Sequence, residues 1–332
     1  MIRRIGRIAS LLVLAASATS SLCVAQEQAQ PTQIPAAPQA AQAPAATQAP
    51  TFPAIDEKNF TSSSPTREQV NDFLKATWGF DENRIWQVAA IAKTQVEGLS
   101  KVTVYVADKT GKEKPGAFSF FALPDGKHII AGDDVYPFGA KPYADARAKL
   151  QAQATGPYRG SADKTLELVE FADFQCPHCK EAQANMDKLV TDFPKARIVF
   201  QNYPLERLHP QAKLAAEFAV CVTKLGGSQA FFTFAEATFE GQDGLNSADG
   251  AQLTLNSAVS KAGLDTAKVA ACAATPETAA AVEQSVQLAQ DLNVNQTPIL
   301  MINGRQVPVG GVPYDTLKKI VVYQAMLDGI PQ

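Results

Sequence analysis

The feature that most constrains this chain is Cys176-Pro177-His178-Cys179, set between an apolar run and a helical repeat. Before it, Leu166, Leu168, Val169 and Phe171 spell a buried strand, with Glu170 among them. After it, Ala182, Met186, Leu189 and Phe193 recur at helical spacing. The first thiol of such a pair sits where free N–H groups and the helix dipole favour negative charge. That position lowers a thiol pKa from ~8.5 into roughly the 3.5–7.5 range. His178 between the cysteines adds positive or hydrogen-bonding stabilisation to the thiolate. Pro177 is tolerated at a helix start and stiffens the loop. A stabilised thiolate means a stabilised reduced form, so the disulfide is the stronger oxidant.

Other uses of the pair fit less well. Structural zinc wants four ligands, and no second Cys-x-x-Cys or close His pair supplies them, so no metal is expected. Haem attachment needs His after the second Cys, where Lys180 stands. A structural disulfide this short would staple little chain. No cofactor is implied. The net charge is −3 with dispersed basic residues, which speaks against a nucleic-acid partner.

The pattern continues with a strand at Arg197 to Gln201 and a helical stretch with Gly breaks from Pro210 to Asp291. Thr297-Pro298 then leads into Ile299-Leu300-Met301-Ile302. Asn303-Gly304 turns the chain into Arg305 to Val309. A last helix carries Leu317, Ile320 and Val321. His209, before Pro210, reads as a residue at a helix start; a second active-site base is the alternative.

The segment Val169-Glu170-Phe171-Ala172-Asp173-Phe174-Gln175-Cys176-Pro177-His178-Cys179 resembles the active-site region of the DsbA family. Thr297-Pro298 and the apolar strand after it, about 120 residues on, are similar to that family's cis-proline loop. The resemblance covers about 166–324. It implies an α/β thioredoxin fold with an inserted helical domain, about 210–291, acting on protein substrates. It makes Cys176 the nucleophile and Cys179 the resolving thiol. It makes Pro298 cis against the pair, with Thr297 offering backbone groups to the substrate. Glu170 matches the family's buried acid, a proton relay to Cys179; a pairing acid on the strand is the alternative.

The chain's other regions frame this unit. Arg3, Arg4 and Arg7, the apolar Ile8 to Ala18 and small residues to Ala25 read as an export signal, 1–25. The protein is then periplasmic or secreted; an uncleaved anchor or a lipidated Cys23 are the alternatives. Cys221 and Cys272 are the remaining cysteines of the mature chain. In an oxidising compartment they form a structural disulfide, worth roughly 4 kcal/mol for a ~50-residue loop; buried free thiols are the alternative.

Residues 26–61, rich in Pro, Ala and Gln, read as a disordered linker. Residues 62–150 read as a small α+β domain. Val70, Phe73, Leu74 and Trp78 share a helical face, with Pro65 in the first turn. Ile85, Val88, Ala89, Ala92 and Val96 suggest a second helix stopped near Gly98. Val102, Val104 and Val106 alternate as a strand, and Asp125-Gly126 marks a hairpin. His128 is an ordinary strand residue. Residues 151–163, with Gly156, Pro157 and Gly160, read as a linker to a catalytic domain at 164–332. Gly126-Lys127-His128-Ile129-Ile130-Ala131-Gly132 is similar to the N-terminal dimerisation domain of DsbC-type isomerases. It implies a homodimer through the first unit; docking of that unit on the second, as a monomer, is the alternative.

The expected function is exported thiol–disulfide exchange with reduced or misfolded exported proteins, run as an oxidase and reset by an unidentified redox partner. A dimeric isomerase or reductase is the alternative, and a non-catalytic binding module or chaperone a further one.

Overall fold

The computed structural model describes residues 50–111 and 114–331. The expected export signal and the first part of 26–61 lie outside the described residues. Two five-stranded sheets organise the rest.

In the first, helix α1 (Arg67–Trp78) packs on an antiparallel meander. Its strands, side by side in chain order, are β1 (Arg84–Lys93), β2 (Ser100–Asp108), β3 (Gly116–Ala122), β4 (His128–Ala131) and β5 (Asp134–Pro137). Thr66 caps α1 in a reciprocal box with Gln69, so Pro65 lies just before the helix and not in its first turn. Val70, Phe73 and Leu74 meet Val88, Ile91, Val102, Val104, Phe120 and Ile129 in one core.

The expected second helix at 85–96 is strand β1. The register slips between Val88 and Ala90, a bulge, and Val88, Ala89 and Ile91 are all buried. One extra residue changes the phase of a two-residue alternation, and the result mimics helical spacing. The end of the expected linker is also ordered into this edge: Phe60 bridges Ile91, and Ser62 N–H donates to Ile91 O at 3.0 Å.

The second sheet is built from α2 (Ala144–Gln153), β6 (Tyr158–Gly160), β7 (Glu167–Ala172), α3 (Pro177–Asp192) and β8 (Arg197–Asn202). Then come α4 (Ala212–Glu240), α5 (Ala248–Lys261), α6 (Thr266–Ala273) and α7 (Pro276–Asp291). The chain closes with β9 (Ile299–Ile302), β10 (Arg305–Pro308) and α8 (Tyr314–Leu327). The strand order is β10-β9-β7-β8-β6, with β7 and β8 parallel and the other pairs antiparallel. Residues 151–163 are therefore not a plain linker. They hold the end of α2 and edge strand β6, and Leu150 and Ala154 sit in a core with Val169, Phe171 and Val199.

All six β7 residues are buried, because both faces of the sheet are covered. Leu168, Ile198, Leu300 and Ile302 pack with α3 and α8 side chains on one face. Val169, Phe171, Ile299 and Met301 pack with Leu150 of α2 and with Leu288 and Ala289 of α7 on the other. Helices α4–α7 form the insertion between β8 and β9. There Cys221 of α4 and Cys272 of α6 are joined in a disulfide, their Cα atoms 5.9 Å apart.

The two sheets meet at Arg305, whose side chain is buried. Its Nη1 donates to Thr77 O at 3.0 Å, its Nη2 to Ala76 O, and its Nε to Gln324 Oε1 at 3.0 Å. Tyr323 Oη donates to Lys75 O at 2.7 Å. The last carbonyls of α1, Ala76 O and Thr77 O, thus receive donors from Arg305 of β10, and Lys75 O, which already accepts from Gly79 N–H at 3.0 Å, receives a second from α8. Among the described residues no helix is long and apolar enough to cross a membrane.

Candidate active site

Strand β7 ends at Ala172, and a short loop delivers Cys176 to the N-cap of α3 with Pro177 at the first helical position. The Cys176 carbonyl accepts from Cys179 N–H at 3.1 Å and Lys180 N–H at 3.3 Å, so the thiol stands over the helix's positive end. Both cysteines are buried thiols. From the far end of the domain, Thr297 brings its carbonyl oxygen to 3.7 Å from Cys176 Sγ, and the Thr297–Pro298 peptide is cis.

The two thiols are driven apart in acidity. Cys176 is pulled down to about 5, first by the hydrogen bond from the Cys179 thiol, and further by the Thr297 side chain and the N–H groups of Cys179 and His178; burial opposes. Cys179 is held far above the ordinary thiol value, first by burial and then by its bond and charge interaction with Cys176. At neutral pH the first cysteine is a thiolate and the second a thiol. The His178 ring, expected to stabilise the thiolate, is exposed beside the pair. Its Nδ1 lies 3.1 Å from Glu181 Oε2, which raises the imidazole pKa, and the Cys176 charge raises it further; the main-chain N–H of His178 lowers the Cys176 value.

Glu170 lies buried on β7. Gln183 Nε2 donates to Glu170 Oε1 at 2.9 Å and to Cys179 O at 3.2 Å, so one amide connects the acid with the resolving cysteine. Burial pushes the carboxyl up to about 7, with Arg159 opposing. A carboxyl that titrates near neutrality holds or releases a proton at little cost.

Other contacts hold the loop and were not evident from spacing. Gln242, in the turn after α4, donates its Nε2 to Phe174 O at 2.8 Å and to Cys176 O at 2.9 Å. Gln175 Nε2 donates to Leu245 O at 3.0 Å, and its Oε1 accepts from Gln211 N–H at 2.8 Å. Phe174 packs among Phe200, Phe231, Phe234 and Phe239, with centroids 5.1–6.3 Å away. The Asp173 carboxylate is fully buried and accepts from His209 Nδ1 at 2.8 Å. The sequence offers Asp173 only as part of the motif, and His209 as a helix-entry residue or a second active-site base; no local signal pairs them. Gly310 is at the rim: a Cβ there would stand 3.8 Å from His178 Cβ and from Pro298 Cδ.

A family model described as Thioredoxin matches residues 152–322. Among curated proteins, the chain is 31% identical over 148 residues to Na(+)/H(+) antiporter NhaA 3 of Salinispora tropica, covering 45% of this chain and 22% of the antiporter. It is 30% identical over 148 residues to NhaA 1 of Salinispora arenicola, with coverage of 45% and 22%. The chain thus spans about a fifth of the length of these curated relatives. Among solved structures it is similar to a thioredoxin-like oxidoreductase from Silicibacter pomeroyi, with 28% identity, a TM-score of 0.45 and coverage of 53% of this chain and 95% of the other. It is similar also to the thiol-disulfide exchange protein alpha-DsbA2 from Wolbachia pipientis, with 24% identity, a TM-score of 0.46 and coverage of 54% and 95%.

Proposed function

The chain belongs to the thioredoxin family, and from that premise we propose that it is a DsbA-like thiol–disulfide oxidoreductase that oxidises exported protein substrates through Cys176 and Cys179. The observation that carries the direction is the opposed acidity of the two thiols. A Cys176 value near 5 means that the reduced pair is stabilised at neutral pH, and a stabilised reduced form makes the disulfide a strong oxidant. In the oxidising direction a client thiolate attacks Cys176 Sγ, and the Cys176–Cys179 bond breaks with Cys179 leaving. A second client thiolate then attacks the client sulfur joined to Cys176. The client gains a disulfide, the enzyme keeps two thiols, and two electrons have moved to it. A separate redox partner restores the enzyme disulfide.

The same reading takes the chain to be exported: it has an N-terminal basic and apolar stretch and carries a disulfide, Cys221–Cys272, a bond that persists in oxidising compartments. The reading is tested by refolding a reduced, disulfide-requiring protein in parallel with insulin reduction. Faster formation of client disulfides than of insulin thiols supports an oxidase. Insulin reduction with no gain in client oxidation overturns that direction.

A second reading, a dimeric isomerase or reductase, draws on one observation. Edge strand β5 leaves Val135 52% and Tyr136 45% exposed, apolar surface that a second copy would cover. Light scattering on the mature protein decides it: a monomeric mass at micromolar concentration removes the dimer.

A further inference from the structure

Behind the reactive pair lies a buried acid–imidazole contact that the exchange chemistry above does not use. The Asp173 side chain is 0% exposed. An ionised carboxylate at such a place is costly unless donors surround it. Three do. Gln175 N–H donates to Oδ1 at 2.7 Å, Leu205 N–H to Oδ2 at 2.8 Å, and His209 Nδ1 stands 2.8 Å from Oδ2. Two of the three come from the loop between β8 and α4, so the carboxylate ties that loop to the one that carries Cys176.

The main chain of Asp173 touches both cysteines. Its carbonyl accepts from Cys176 N–H at 3.1 Å, and its N–H donates to Cys179 Sγ at 3.4 Å. That second bond favours the Cys179 thiolate, against burial and the Cys176 and Glu170 charges. In either direction of exchange, negative charge develops on Cys179 Sγ. When a client thiolate opens the enzyme disulfide, Cys179 is the leaving group. When a mixed disulfide is resolved, Cys179 loses its proton and attacks Cys176 Sγ; the bond between Cys176 and the client breaks, and the client sulfur leaves with the electron pair. A fixed donor aimed at a site of developing charge lowers a barrier without reorganising.

We propose that His209 is a positioning residue for this step: through the Asp173 carboxylate it fixes the main-chain N–H that carries charge on Cys179 Sγ. The proposal rests on the exchange reading given above. It assigns His209 no contact with substrate and no proton to transfer. Its requirement is a donor at the Nδ1 position.

The test separates the two halves of exchange. Reduced full-length protein is mixed with excess oxidised glutathione, quenched in acid at intervals, and analysed by mass spectrometry. Attack by Cys176 gives the glutathionylated protein at a rate proportional to glutathione concentration. Resolution by Cys179 gives the internal disulfide at a rate independent of it. His209→Ala is expected to slow resolution about tenfold, the worth of a charge-assisted hydrogen bond, and to leave attack within about twofold. His209→Asn, whose amide nitrogen takes the Nδ1 position, is expected to restore resolution, and His209→Gln, whose nitrogen reaches too far, is not. The Asn and Gln pair decides the matter if the Ala variant does not fold. Unchanged resolution in His209→Ala, equal slowing of both steps, or equal behaviour of the Asn and Gln variants overturns the proposal. A wild-type protein inert to oxidised glutathione overturns the exchange reading itself, and the proposal with it.

Discussion

The carbonyl oxygen of Thr297 stands 3.7 Å from Cys176 Sγ, across 121 residues of chain. The contact joins the end of the long helical insertion to the start of α3, and it puts main-chain groups of residue 297 beside the nucleophile. In the proposed oxidation, an extended client segment pairing with that main chain would bring its thiolate to Cys176 Sγ.

The pH dependence of Cys176 follows from its environment. With its value lowered to about 5, alkylation of the reduced protein by iodoacetamide is expected to be at its plateau at pH 7 and to fall with a midpoint near that value. The folded value lies below the ordinary one of 9.0, so the thiolate contributes stability to the reduced protein that is present above pH 9 and is lost as pH falls through about 5. Urea titrations of the reduced and oxidised forms at pH 4 and pH 8 check the sign. An alkylation midpoint near the ordinary value of 9.0 contradicts it.

Removing one thiol at a time distinguishes their roles. Cys179→Ser is expected to accumulate mixed disulfides with client proteins, because nothing resolves them, and Cys176→Ser to accumulate none. Non-reducing gels of material trapped in acid show this directly. Equal trapping by both variants would reverse the assignment.

Glu170 has the opposite sign from Cys176. Its folded value, about 7, lies above the ordinary 4.5 because burial favours the neutral carboxyl. Stability that is complete below pH 4.5 is therefore lost as pH rises through about 7. Glu170→Gln abolishes that loss. The variant is expected to match wild type at pH 4 and to exceed it at pH 8 by on the order of 2–3 kcal/mol. Equal stability of the two proteins at pH 8 would show that Glu170 ionises freely.

Arg305 is the fourth test. Arg305→Met leaves the carbonyls of Ala76 and Thr77 without these donors, and is expected to cost about 2–4 kcal/mol in urea unfolding. Tyr323→Phe, which removes one of the two donors to Lys75 O, is expected to cost about 1 kcal/mol. A neutral Arg305→Met variant would mean that the two sheets do not depend on this contact.

Where a region's local pattern matched its surroundings, the sequence was legible. Strand β7 carries apolar residues on both faces, Leu168 on one and Val169 and Phe171 on the other, because both faces are covered, and α3 and α8 show helical spacing because each buries one face. Misreadings came where one residue served a distant neighbour. The bulge in β1 looked like a helical phase. Gly156 and Gly160 looked like linker residues, yet a Cβ at either would meet a backbone oxygen, Phe200 O at 1.9 Å and Ala196 O at 2.2 Å. They are glycines because the chain passes tightly against the sheet.

By itself the sequence determined the redox pair, its strand-to-helix setting, the order of the elements around it and the cysteines available for a second bond. Those depend on residues adjacent or a few positions apart, within reach of periodicity and motif. Tertiary structure alone decided that His209 meets Asp173, that Gln242 reaches the Cys176 carbonyl, and that Arg305 closes the end of α1. These polar contacts join groups 36, 66 and 228 residues apart. Such contacts leave no periodic trace, because a buried donor or acceptor needs one partner at hydrogen-bond distance wherever in the chain it lies.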